Sequence, residues 1–238
     1  GVRALAKNKT YAFINIFGLA LGLASCLLIL LFVRYELSYD KDLPGADQAY
    51  QFQSFFTDPD AGEVQKIQMA AYVTKDFLKK DFPQVENAVH ALASGPILLK
   101  DGQAYATEDV RFVDGNLLDI LQFPLLKGNR ETALDQAGTV VLTESEARKY
   151  FGSEDPMGQI LTLSSRGQQV DYRVTGILED LPKNSHFNAT MIARYDPKSY
   201  WADQQDFMTQ WGWQSGWVYL KLRPGAGADA INAQMEGW

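Results

Sequence analysis

The chain has 238 residues, of which 46% are hydrophobic, and is acidic, with 22 basic and 29 acidic side chains. That balance repels polyanions and argues against nucleic acid or anionic headgroups as partners. One cysteine, Cys26, excludes an intramolecular disulfide framework and any cysteine-based metal cluster.

Tyr11 to Val33 runs for 23 residues without a charge. As a helix it reaches about 34 Å, enough to cross a bilayer. Arg3, Lys7 and Lys9 precede it. Glu36, Asp40 and Asp42 follow, opposed only by Arg34 and Lys41. Positive flanks stay inside, which predicts a cytoplasmic N-terminus and an extracytoplasmic remainder, residues 44–238. A cleaved secretory signal has a shorter apolar core and a small-residue cleavage site followed by polar sequence. Leu23-Ala24-Ser25-Cys26 has the form of a lipid-attachment site, but Leu27 to Val33 stays apolar beyond it. A buried core helix is normally shorter. The spanning helix is the best reading.

Gly18-Leu19-Ala20-Leu21-Gly22 is a G-x-x-x-G pattern, whose small residues let a second helix approach closely. Asn15, costly against lipid, joins Gly18 and Gly22 as a candidate helix-packing residue. Only three basic residues and no acidic one precede Arg34, so residues 34–238 carry 19 basic and 29 acidic side chains, a net charge of −10.

Arg34 to Pro44 reads as a helical extension leaving the membrane, with Tyr35 and Tyr39 at interfacial depth. Tyr50 to Phe56 alternates as a strand, and Asp58-Pro59-Asp60-Ala61-Gly62 is a turn. Met69 to Phe82 predicts a helix with Tyr72, Val73, Phe77 and Leu78 on one side, ended by Pro83. Val85 to Ala93 and Tyr105 to Val113 are strands, and Asn116 to Gln122 a short helix. Thr139 to Leu142 is a buried strand. Thr143, with Glu146 three residues on, then caps a helix ending near Phe151-Gly152. Ile160 to Leu163 and Tyr172 to Leu178 are strands joined across Ser165-Arg166-Gly167, and Leu181-Pro182-Lys183-Asn184 is a turn. Ala189 to Tyr195 is a strand, Pro197 to Thr209 weakly helical, and Trp217 to Leu222 a strand. A final helix begins at Ala228 and meets the end of the sequence at Trp238. With no initiating methionine, this gives the expectation of a segment from a longer polypeptide.

Catalytic motifs are scarce. No G-x-x-x-x-G-K-[ST] loop occurs, so ATP has no binding site of that kind. Gly225-Ala226-Gly227 is a turn before a helix. His90 and His186 lack a second ligand at metal-binding spacing, and Ser185-His186 has no nucleophile elbow around it. No catalytic residue, cofactor or metal is expected. Trp211, Trp213 and Trp217, with Trp201, are divided evenly between a binding surface and core packing, Trp217 leaning to core.

Several stretches together resemble the first membrane helix and periplasmic core domain of MacB/FtsX-type ABC transporter permeases. They are Asn8 to Tyr11, Asn15 to Ala24, Glu36 to Asp40, Phe123 to Gly128, Val140 to Glu144 with Ala147, and Tyr150 to Gly152. Glu154 to Gly158, Val174 to Pro182 and Asn184-Ser185-His186-Phe187 complete the ordered set. The resemblance implies an α+β architecture: a transmembrane helix, then a two-lobed extracytoplasmic domain in which a split α/β lobe carries an inserted, mostly β lobe. Residues 1–43 would be N-terminus, span and stalk, 44–96 and 186–238 the split lobe, and 97–185 the insertion. It further implies a non-catalytic permease segment in a bacterial inner membrane, paired as a dimer and working with a cytoplasmic ABC ATPase. A periplasmic adaptor or substrate protein is the outer partner, and more membrane helices follow. The alternative is a single-pass sensor or anchored ligand-binding module.

Overall fold

The computed structural model describes residues 9–39, 44–45, 47–57, 62–182, 184–235 and 238. Arg3, Lys7, Asp40, Lys41, Asp42 and Lys183 lie outside them, as does the expected turn at Asp58–Gly62 apart from Gly62. Two compact units result. One holds the described residues before 43 together with Asn184–His186, and the other holds the rest.

The first unit is a single long helix, α1 (Lys9–Glu36), with no acidic residue in its first turn. Its mean hydropathy reaches 2.8, and none of that apolar stretch is buried.

The second unit is mostly sheet. In chain order it runs β1 (Ala49–Gln51), β2 (Ser54–Thr57), β3 (Val64–Ile67), β4 (Ala70–Ala71), α2 (Thr74–Asp81), β5 (Val85–Ser94), β6 (Ile97–Lys100) and β7 (Gln103–Ala106). It continues through β8 (Val110–Val113), β9 (Leu125–Gly128), β10 (Thr139–Thr143), α3 (Glu144–Phe151), β11 (Ile160–Ser165), β12 (Gln168–Leu178) and β13 (Met191–Arg194). It ends with α4 (Pro197–Tyr200), β14 (Gln214–Leu222) and α5 (Ala228–Met235).

Among the described residues twelve strands form one sheet in the order β1-β14-β5-β8-β13-β10-β12-β11-β6-β7, with β4 beside β14 and β9 beside β12. Pairs β10–β12 and β8–β13 are parallel. The β2–β3 pair stands apart as an antiparallel hairpin. The central strands are buried on both faces, which is why they read as unbroken apolar runs. Val140 and Leu142 face one core with Phe112 and Tyr172. Val141 faces the other with Phe123 and Phe187. A third core holds Leu78 of α2 and Ile231 of α5 against Val218 and Leu220.

Several expected elements change where tertiary pairing overrides local pattern. The Tyr50–Phe56 strand divides, because Ala49–Gln51 pairs with β14 whereas Ser54–Thr57 pairs with β3. The Met69–Phe82 helix starts only at Thr74, since Ala70 and Ala71 pair with β14. Tyr105–Val113 divides at Asp109, whose φ of 53° breaks the strand. Residues 197–209 form α4 and a separate 3₁₀ turn, Gln205–Met208, instead of one helix. Thr143 caps α3 as expected, accepting from Glu146 N. The reciprocal half of a capping box is missing, because Thr143 N donates to Thr190 O and Glu146 accepts from Tyr150 OH. The β11–β12 turn has Arg166 and Gly167 both at positive φ, 53° and 76°, the conformation that suits a two-residue hairpin.

Candidate functional site

The long helix α1 is long and apolar enough to cross a membrane. Phe13, Leu28 and Leu30 are each more than 60% exposed, so the described chain does not cover them. A contiguous apolar surface of that extent belongs in lipid or against other helices. Ser25 Oγ donates to Leu21 O at 2.9 Å, which satisfies its hydroxyl within the helix. Asn15, Gly18 and Gly22 sit three and four residues apart and share a face. All three are exposed, and a Cβ placed on either glycine meets nothing within 4 Å.

At the outer end the helix tightens. Leu37 N still bonds Val33 O, four residues back, but Ser38 N bonds Tyr35 O at 3.0 Å, three residues back. The α-helix therefore stops at Glu36 and gives way to a turn over 37–39, where a continuous helix to Pro44 was expected. The cause is local competition. Ser38 Oγ donates to Tyr35 O at 2.6 Å and takes up a carbonyl that further helix would need. Asn184 Nδ2 then donates to Ser38 O at 3.0 Å and to Ser38 Oγ at 2.9 Å. Such donors meet the open carbonyls that every helix C-terminus leaves. Tyr35 and Tyr39 meet edge-on with ring centres 5.5 Å apart.

A buried polar cluster lies in the sheet unit. Asp114 Oδ1 accepts from His90 N at 2.9 Å, and Asp114 Oδ2 is paired with Lys75 Nζ at 3.2 Å. Lys75 Nζ also lies 4.5 Å from the centre of the Tyr72 ring. His90 Nε2 is 3.2 Å from Ser215 Oγ, while Nδ1 has no partner among the described residues. Burial lowers the His90 pKa to about 4, with Lys75 reinforcing and Asp114 opposing the shift. Burial and the charge of Asp114 push the Tyr72 hydroxyl well above its ordinary range.

The serine–histidine contact is not a catalytic one. Asp114 holds the main chain of His90 and leaves its imidazole unoriented, whereas a general base needs the ring fixed by its partner. His90 is also fully buried, so substrate has no access to it. Sequence spacing did not bring these residues together, because Lys75, His90, Asp114 and Ser215 come from four separate segments. Among the described residues no three His, Cys, Asp or Glu side chains are grouped to hold a metal.

The tryptophans separate into different environments. Trp201 is buried and stacks on Phe207 with ring centres 3.8 Å apart, and Arg166 lies over it at 4.4 Å. Trp217 is half-buried, with Arg111 over its ring at 5.2 Å. Trp211 is 47% exposed, within 5.0 Å of Phe77 and 5.6 Å of Trp238 between ring centres. It lines a cleft of about 810 Å³ with Tyr50, Phe52, Phe56, Met235 and Trp238. The even division expected for this group resolves residue by residue: Trp201 is core and Trp211 is surface.

The sequence profile of the MacB-like periplasmic core domain matches residues 12–237. No curated protein matches the chain. Among solved structures, a domain assigned to a permease protein from Porphyromonas gingivalis is similar at 23% identity and a TM-score of 0.65. The match covers 83% of this chain and 82% of that one. The periplasmic region of MacB from Actinobacillus actinomycetemcomitans is similar at 18% identity and a TM-score of 0.53, covering 80% of this chain and 81% of that one. At these identities the likeness is one of fold.

Proposed function

The chain belongs to the MacB-like periplasmic core domain family, and from that membership we propose that it is the first membrane helix and outer domain of an ABC-type permease. The segment is non-catalytic. Its outer domain passes the effect of ATP hydrolysis on a cytoplasmic ATPase to a substrate or partner outside the membrane. The observation that carries this reading is the profile match over 12–237 together with an uncovered apolar helix at Lys9–Glu36. That helix sits in a bacterial inner membrane with its N-terminus inside and residues 44–238 outside.

Assembly follows from the same helix. Asn15, Gly18 and Gly22 form the face on which a second permease helix packs, within a permease dimer. An adaptor or substrate protein is the outer partner. Residues 44–96 and 186–238 form one lobe and 97–185 the other. The antiparallel set β1-β14-β5 supports this division by joining 49–94 to 214–222, and β13, lying between β8 and β10, ties the two lobes into one sheet.

The test is to read the gene beyond Trp238 and purify its product from membranes. Further hydrophobic spans and co-purification of an ATPase are expected. A stop codon, or a kinase or methyl-acceptor domain, with no associated ATPase overturns the proposal in favour of a single-pass sensor.

A further inference from the structure

The cleft of about 810 Å³ lies wholly within the sheet unit, lined by residues of β1, β2, β3, β14 and α5. Sites for small molecules commonly enclose about 300–1,000 Å³, so this one has room for a ligand of drug size. Tyr50 and Phe52, two residues apart, line it and also pack on the third core, as does Met235 of α5. Phe56 and Trp211 line it too and are exposed. Exposed rings scattered singly mean little, but rings gathered in one concave site mark a binding surface.

The rings are held in place by the fold itself. Trp238 Nε1 donates to Asp81 Oδ2 at 2.9 Å. The Trp238 ring meets those of Phe82 and Trp211 edge-on, each with centres 5.6 Å apart. Trp211 in turn lies 5.0 Å from Phe77. Rings fixed in this way lose little freedom when a ligand binds, and they favour an apolar body that carries rings of its own.

Charge narrows the class further. Lys66 is the one charged side chain among the described residues that line the cleft. It is exposed, lies 5.8 Å from the centre of the Phe55 ring, and makes no ion pair among the described residues. No acidic side chain joins it in that lining, although residues 34–238 carry a net charge of −10. A lone cation beside aromatic walls, on an otherwise acidic domain, selects for one negative group on an apolar body.

We propose that this cleft binds an amphipathic organic anion, its ring-bearing body against Phe52, Trp211 and Met235 and a single carboxylate or sulfonate paired with Lys66. The site does not depend on the permease reading.

The experiment photolabels the full-length chain in phosphatidylcholine nanodiscs with benzoylbenzoate, an aromatic carboxylate that crosslinks where it binds, and with its uncharged methyl ester. Mass spectrometry of the peptides locates the adducts. Saturable labelling of Met235 and of residues 50–56 is expected, about threefold weaker for the ester, as the loss of one exposed ion pair implies. Lys66→Glu is expected to weaken labelling by the acid about tenfold, since reversing the charge counts that pair twice, and to leave the ester unchanged. Trp211→Ala should weaken both probes. Both side chains are exposed, so the melting temperature of the sheet unit should not move. Adducts that do not saturate or that scatter over the sheet unit overturn the proposal, as does a Lys66→Glu variant that labels like the parent or loses acid and ester equally. Labelling abolished by phosphatidylglycerol in the nanodiscs gives the cleft to a lipid, and adducts on a co-purifying polypeptide give it to a protein partner. Either result overturns the proposal.

Discussion

The carboxylate of Asp114 accepts the main-chain N–H of His90 at 2.9 Å and pairs with Lys75 at 3.2 Å, so one buried acid holds both a strand and a helix. The Asp114 side chain is 3% exposed and that of Lys75 11%. Lys75 Nζ also lies 3.0 Å from the more exposed Asp76 Oδ1, so removing Asp114 leaves the lysine one partner and costs less than the about 3–5 kcal/mol typical of a buried pair broken outright. Asp114→Ala is therefore expected to lose about 1–3 kcal/mol, and Lys75→Met added to it to recover part of the loss. Denaturant titration of the parent, the two single variants and the double variant checks the cycle. Additive losses would show that the two charges do not depend on each other.

Acid should act on the same cluster through His90. Its pKa in the fold is about 4, lowered by burial from the ordinary value near 6.5. The folded state thus holds His90 neutral while the unfolded chain takes up a proton more readily. The stability contribution is complete above pH 6.5 and declines as pH falls through the window down to 4. Between pH 7 and pH 5 the loss from this one group is about 2 kcal/mol. His90→Gln should remove that increment, leaving the slope set by the carboxylates. Unfolding free energies of both proteins at pH 7, 6 and 5 decide it, and parallel curves would refute the assignment.

Close packing against the cluster fixes Gly216. A Cβ there would lie 2.3 Å from Ala91 O and 2.9 Å from the His90 ring, and the first of these is backbone that cannot swing aside. Gly216→Ala is expected to cost about 3 kcal/mol as overpacking. Gly212→Ala, where a Cβ meets nothing within 4 Å, should cost well under 1 kcal/mol, about what a Gly-to-Ala change does in a loop. Thermal melts of the pair, measured side by side, test whether contact or mere chain position sets the effect.

What the sequence disclosed follows from the range of each signal. The C-terminal limit of α1, Glu36, lies within three residues of the end of the uncharged run, because hydropathy is a property of consecutive residues. The cap at Thr143 and the turn at Arg166-Gly167 are equally local. Strands that change partners midway carry no such mark. Tyr50 to Phe56 alternates smoothly, although its two halves pair with β14 and β3. The cluster around Asp114 and the Asn184–Ser38 contact join residues far apart in the chain, and neither periodicity nor spacing encodes them. The one available signal was Asn184-Ser185-His186-Phe187. It places three polar residues before an aromatic one, and its aromatic end proved fully buried.

Topology gives a further expectation. A cysteine at Lys9 should resist a membrane-impermeant thiol reagent in intact cells, and one at Asp101, which is exposed, should react, both without Cys26. Sidedness follows from the basic flank before α1 and the acidic chain after it. The opposite labelling pattern would place the outer domain in the cytoplasm and end the permease reading.

The packing face on α1 can be separated from everything in the outer domain. Because a Cβ at Gly18 or Gly22 meets nothing within 4 Å, no described part of this chain resists a larger side chain there. Gly18→Leu with Gly22→Leu should leave the melting of the sheet unit unchanged, and α1 should remain helical, since leucine is the better helix former. Its effect should fall on association instead, because two leucines raise the smooth surface that close helix approach requires. Asn15, three residues before Gly18 on the same face, should act in the same direction when changed to leucine, by removing a hydrogen-bonding group between helices. That interaction is worth about 1 kcal/mol or less, so its loss should weaken assembly less than the glycine pair does. Crosslinking yield between full-length protomers in native membranes measures both. If the glycine variant assembles as the parent does while Leu27→Ala, on the exposed surface elsewhere on the helix, does not, the face has been misplaced.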